Sequence, residues 1–229
     1  MKKLGTLLIV MLFALGVLIQ FIFPVLVENT VKTRLSERLA THDVVVNFSS
    51  TPNALVTFGQ ADKFKALAHG AKIGNVYFEE ISTEGEGLTV DILTLATKGQ
   101  LVMGTPKDVR FKGILTELNL KEIINRDDKF KDLEVKITPE EVMATAGLKL
   151  FGQQAEAELA GRVTVEDGAL MFKLSRLNVK NSMIGTVKLD SLFSDVTLVK
   201  RGKLPFNAEF TDVNMADGKV FIEAGRKHE

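Results

Sequence analysis

The chain is 229 residues long, with 29 basic and 29 acidic side chains and no net charge. No basic block stands out, which argues against a nucleic-acid surface, since that needs a concentrated positive patch. There is no cysteine, no tryptophan and one tyrosine, Tyr77, so a disulfide scaffold is excluded and the stacking platforms of a sugar-binding module are lacking.

The first expected element is a membrane span. Met1-Lys2-Lys3 leads into an apolar run from Leu4 to Val27, interrupted by Thr6 and Gln20 but by no charge. At about 1.5 Å per helical residue, such a run can cross a hydrocarbon core of roughly 30 Å. A secretory h-region is shorter. Cleavage at the small-x-small candidate Ala14-Leu15-Gly16 would leave apolar residues on the mature end. Residues 1–27 are therefore read as an uncleaved signal anchor. Lys2 and Lys3 on one side are matched by Lys32, Arg34 and Arg38 on the other, so the positive-inside rule gives little orientation. The Met-Lys-Lys start and the lack of a second apolar run place the rest of the chain outside the cytoplasm, on a single-pass cell-membrane protein.

Residues 28–42 carry Val31, Leu35 and Leu39 at four-residue spacing, a helical stripe. Two readings stay open: an amphipathic stalk that continues the membrane helix outward, or a helix docked on the domain by that stripe. Residues 43–229 are β-rich. Val44 to Val46 begin a strand, and Pro52 to Phe58 is a helical turn stopped by Gly59. Two strands lie between Ala61 and Ser82, Gly85-Glu86-Gly87 reads as a turn, and Leu88 to Ala96 reads as a strand. Another strand carries Val109, Phe111, Gly113 and Leu115. Thr116 caps a helix to about Asn125 that buries Leu120, Ile123 and Ile124.

Leu133, Val135 and Ile137 alternate with polar residues. Thr138-Pro139-Glu140-Glu141 would start a helix well, but the period-two set Val142, Ala144, Ala146, Leu148 and Leu150 makes it a turn before a strand. Gln154 to Val165 and Ala169 to Val179 are strands joined at Asp167-Gly168, a type I′ hairpin signal. A short helix is expected near Lys188 to Ser194. Phe206, Ala208 and Phe210 are expected to pair with Val220 and Ile222 across Asp217-Gly218. The fold class is α+β, mostly antiparallel β, with sheets apolar on one face. Either two sheets close as a sandwich, or one sheet curls and keeps an apolar face for a ligand.

Chemistry-bearing constellations are lacking. His42, His69 and His228 have no second ligand at metal spacing and are most simply loop or tail residues. There is no G-x-S-x-G elbow and no phosphate-cradling loop, and Asp127-Asp128 has no third carboxylate in a Ca²⁺-loop pattern. The expectation is no enzyme, no metal and no cofactor.

The pattern is similar to that of the LmeA-type phospholipid-binding proteins of bacteria. The features that carry the resemblance are the opening helix with Val44-Val45-Val46 after it, the Pro52 to Gly59 segment, and Gly87-Leu88-Thr89-Val90-Asp91. Gly113 to Leu120, a strand leading into a Thr-Glu-x-Asn-Leu helix, and the Gly161 to Leu170 hairpin complete it. The resemblance implies a long curved sheet wrapped around a helix with an apolar groove, preceded by the transmembrane helix. It implies no catalytic residue. The partners are then a phospholipid or other acyl lipid and a membrane, and the function is to hold or transfer lipid in cell-envelope biogenesis. Groove candidates are the in-phase apolar residues Val163, Val165, Leu170, Phe172, Leu174, Phe206 and Phe210, for each of which core packing is the alternative role. The alternative function is a closed β-sandwich interaction or scaffold domain without a ligand.

Overall fold

A computed structural model describes residues 11–14, 16–17, 23–125, 131–150, 153–181, 185–188 and 195–226. About 55% of the described residues are in strands, so sheets rather than helices build the core. Two compact units emerge, one of residues 1–68 and 82–110, the other of residues 69–81 and 111–229. The membrane span expected over 1–27 falls largely outside the described residues. Among the described residues no helix is long and apolar enough to cross a membrane.

The first unit opens with helix α1, Phe23–Leu39. Its stripe is a docking surface: Val31 is buried and Leu35 and Leu39 are half-buried. Strand β1, Val44–Ser49, lies along it. The Phe48 amide donates to Glu28 Oε1 at 2.8 Å, and Arg38 Nη2 donates to the Leu101 carbonyl at 3.2 Å. After β1 come the one-turn helix α2, Ala54–Thr57, and strands β2, Gln60–Ile73, and β3, Val76–Thr89. β1 and β2 pair antiparallel from Val44↔Ala68 to Ser49↔Lys63.

Three expectations fail in this region. Gly85-Glu86-Gly87 is not a turn but lies inside β3. A Cβ at Gly85 would stand 2.7 Å from the Phe64 ring, so the glycine makes room for that ring. Leu88 to Ala96 is not one strand. β3 stops at Thr89 and helix α3, Ile92–Lys98, follows. Asp91 accepts from Thr94 N at 2.9 Å and Thr94 Oγ1 at 2.7 Å, and Gly99 closes the helix at φ +63°. A side chain that satisfies free helical amides wins over a five-residue alternation. His69 likewise is no loop residue: it lies in β2 with Nε2 3.4 Å from Glu80 Oε2.

Strand order in the first sheet is β1-β2-β3-β4-β12-β11, where β4 is Asp108–Thr116, β11 Glu209–Ala216 and β12 Lys219–Gly225. β1 belongs to the first unit, β11 and β12 to the second, and the chain of β2, β3 and β4 contributes to both. In the second unit, helix α4, Glu117–Ile124, is capped by Thr116, with Asn119 completing a reciprocal box. The Thr116 amide donates to Asn119 Oδ1 at 2.9 Å and the Asn119 amide to Thr116 Oγ1 at 3.4 Å. Asn thus fills the place that Glu usually takes.

The second sheet has the order β10-β8-β7-β6-β5, with β9 also on β8. Its strands are β5 Lys131–Ile137, β6 Val142–Leu150, β7 Gln153–Glu166, β8 Ala169–Asn181, β9 Gly185–Lys188 and β10 Val196–Val199. Asp167 and Gly168 both have positive φ, +47° and +74°, as a type I′ turn requires. Ile124 of α4 packs against a cluster of Leu133, Ala144 and Ala146, covering part of the apolar face. β11 lies against β7 and β8. It is tied at its start by Phe210 N to Gly168 O, 3.3 Å, and beyond its end by Gly218 N to Ile137 O, 3.0 Å. The helix expected near Lys188 to Ser194 lies outside the described residues, except that Lys188 ends β9.

Phe172 stacks across the hairpin onto Gly161, where a Cβ would meet its ring at 2.5 Å. Phe172→Ala therefore removes a buried ring from a tight contact and should cost about 3–5 kcal/mol in urea unfolding. Asp62 and Asp91 supply a pH dependence. The Thr51 amide and then the Ser50 hydroxyl lower the Asp62 pKa, and the Thr94 amide and then its hydroxyl lower that of Asp91. Groups with depressed values stabilise fully above their ordinary value of 3.8 and lose that contribution as pH falls below it. Hydrogen exchange at Thr51 and Thr94 should therefore accelerate below that pH. Asp91→Asn should keep α3 capped and remove the pH response at Thr94.

Candidate functional site

The second unit contains an apolar crevice between the strands of the first sheet and the segment that enters β11. Phe78 and Ile81 of β3, Phe111 of β4 and Ile222 of β12 form its buried walls. Ile73 and Ala224 extend the walls, and Leu204 and Phe210 close one side. The strand period explains the set: Phe111 and Gly113 face inward while Arg110 and Lys112 are exposed. A Cβ at Gly113 would lie 3.0 Å from the Phe78 ring, closer than an ordinary contact, so a side chain there would have to shift that ring by a few tenths of an ångström.

Lys112 is the one charged residue of the lining. Its side chain alternates to the exposed face of the strand, opposite Phe111 and Gly113. The crevice measures about 250 Å³ counting its open mouth, and about 10 Å³ of that can take the centre of a water molecule. That is room for roughly one water. Typical ligand pockets hold roughly 300–1,000 Å³, so an acyl chain requires the walls to part.

The segment over the crevice is built on unusual backbone. Phe206 was expected on the last hairpin but sits in a 3₁₀ turn, Pro205–Asn207, before β11 begins at Glu209. Pro205 opens that turn, and Phe206 and Asn207 both take positive φ, +60° and +55°. For a bulky side chain this region costs on the order of 1–3 kcal/mol. The turn is held by Ala208 N donating to Pro205 O at 3.1 Å and by the Arg201–Glu209 ion pair.

The other sequence candidates take the following places. Val163 pairs with Phe172 and Val165 with Leu170 on the outer half of the β7–β8 hairpin, and Leu174 lies opposite Gly161. Val163, Leu170 and Phe172 are buried, while Val165 and Leu174 are half-buried. The Leu174 amide donates to Asp195 Oδ1 at 3.1 Å. Of the seven, Phe210 lines the crevice. Phe210↔Ala224, Val213↔Ile222 and Met215↔Val220 are the pairs of the last hairpin. Sequence reasoning missed Phe78, Ile81, Phe111 and Leu204 as lining residues. A signal was available: an inward glycine within an alternating strand, Gly113, marks a place where a ring or ligand approaches.

Among the described residues no group of three or more His, Cys, Asp or Glu is placed to hold a metal ion. The features together define a mostly antiparallel β protein with a crevice apolar in its walls, the chemistry of an acyl chain. The chain belongs to the LmeA-like phospholipid-binding family, whose sequence model matches residues 20–225, nearly its whole length. Lipid is the ligand class that membership assigns. No curated protein and no solved structure was found to match.

Gly113→Ala should push against the Phe78 ring and cost about 1–3 kcal/mol in chemical denaturation, because a well-packed wall has no slack for a methyl group. An unchanged midpoint would show that the crevice wall yields freely.

Proposed function

We propose that this chain is a membrane-anchored, extracytoplasmic phospholipid-binding protein that holds or passes lipid in cell-envelope biogenesis, without catalysis. The observation that carries the proposal is the family match over residues 20–225, and the apolar crevice supports it. The charge-free run from Leu4 to Val27 supports the anchor. A long curved sheet embracing an apolar groove is the finer form of this reading.

The energetics suit exchange rather than capture. Burying acyl methylenes is worth about 0.8 kcal/mol each relative to water. In a bilayer the chains are already dry, so the protein need only match the membrane, and transfer can remain close to neutral. An anchor keeps the site at high effective concentration beside its lipid source.

A second reading, a closed interaction domain of the envelope with no ligand, draws on the tight crevice, with its room for about one water. Native mass spectrometry of the full chain, with organic extraction of what it retains, separates the two. The lipid-binding reading predicts stoichiometric phospholipid, and a mass that stays ligand-free after incubation with vesicles contradicts it.

A further inference from the structure

The first unit exposes large apolar side chains at one of its ends. Phe58, at the close of α2, is 64% exposed and Leu93, in the first turn of α3, is 75% exposed. The two are neighbours by backbone: Val90 N donates to Gly59 O at 2.7 Å, and a Cβ at Gly59 would stand 3.0 Å from the Ile92 side chain. Val102, 47% exposed, adjoins them through the bond from Asp91 N to Val102 O, 2.9 Å. Isolated exposed apolar residues are ordinary, but three on adjoining turns form a patch.

The position of the patch identifies its occupant. α1 and β1 run antiparallel: Leu39 and Val44 are close in sequence at one end, and Glu28 meets Phe48 at the other. From Glu28 back to Phe23 is five residues, about 7.5 Å of helix. Ser49 pairs with Lys63, and β2 starts three residues earlier, at Gln60. Those three residues add about 10 Å of strand beyond Ser49 in the same direction. Phe58 and Gly59 therefore stand level with the start of α1, where the apolar N-terminal run enters. Val25 and Leu26, the last apolar residues of that run but one, are themselves 51% and 53% exposed there.

We infer that Phe58, Leu93 and Val102 form a tip that inserts into the same bilayer leaflet from which α1 emerges. This rests on the anchored reading. α1 has no break between Phe23 and Leu39 and is docked on β1, so an anchored helix brings the patch to the surface without a linker. Apolar side chains at the interface bury themselves among headgroups and upper acyl chains. The tip then holds the first unit end-on to its lipid source instead of letting it sway on the anchor.

The chain has no tryptophan, so single-tryptophan variants report depth directly. F58W, L93W, F13W and V45W are reconstituted as full chains into phosphatidylcholine–phosphatidylglycerol vesicles with or without brominated acyl chains. Val45 is 55% exposed at the opposite end of β1, next to its first residue. The expected result is roughly twofold quenching for F58W and L93W, and none for V45W. Quenching of F13W alone overturns the tip while leaving the anchor standing. No quenching of any variant, F13W included, overturns tip and anchor together. Blue-shifted but unquenched emission from F58W and L93W overturns the proposal in favour of a protein partner.

Discussion

A sheet with one apolar face has to cover it, and most of this molecule can be derived from that requirement. With more than half of the described residues in strands and four short to medium helices among them, helices cover only part of the available surface. In the first unit α1 lies on β1 and buries Val31. In the second, Ile124 of α4 covers the cluster around Leu133 and Ala144, and β11 lies across β7 and β8. What is left over in the second unit is the face built from Phe78, Ile81, Phe111 and Ile222, covered by Leu204 and Phe210. The candidate site is a stretch of that sheet covered by the segment entering β11 and not by a helix.

Glycine facing phenylalanine recurs as the device that makes the sheets close. Phe64 occupies the space a side chain would take at Gly85, Phe78 does so at Gly113, and Phe172 at Gly161. Each pair trades a Cβ for close approach of an aromatic ring, which buries far more area than an alanine would. The arrangement also leaves little freedom. A ring seated at 2.5–3.0 Å from the place of an absent Cβ cannot tolerate a larger residue there without moving.

Much of the fold was legible in the sequence because strands alternate with period two and turns need special residues. Val142 to Leu150 prevailed as a strand over the helix-starting Thr138-Pro139-Glu140-Glu141, and Asp167-Gly168 marked its hairpin. Other features were not legible because one local bond outweighed the pattern. Asp91 turned half of an alternating stretch into α3. Two consecutive left-handed residues after Pro205 removed Phe206 from its expected strand. The crevice was only partly legible: Phe210 was identified, whereas the lining from β3 and β4 depends on strand order, and no local pattern encodes which distant strands become neighbours.

On the proposed lipid-binding function, an acyl chain enters the crevice of the second unit by parting its walls. Photocrosslinking with a phospholipid bearing a diazirine on its acyl chain tests it most directly, with the modified residues mapped by peptide mass spectrometry. The account predicts label on Phe111, Leu204 or Phe210. Label confined to residues before Glu28 would contradict it, because the chain would then be touching lipid through its anchor and not through its interior.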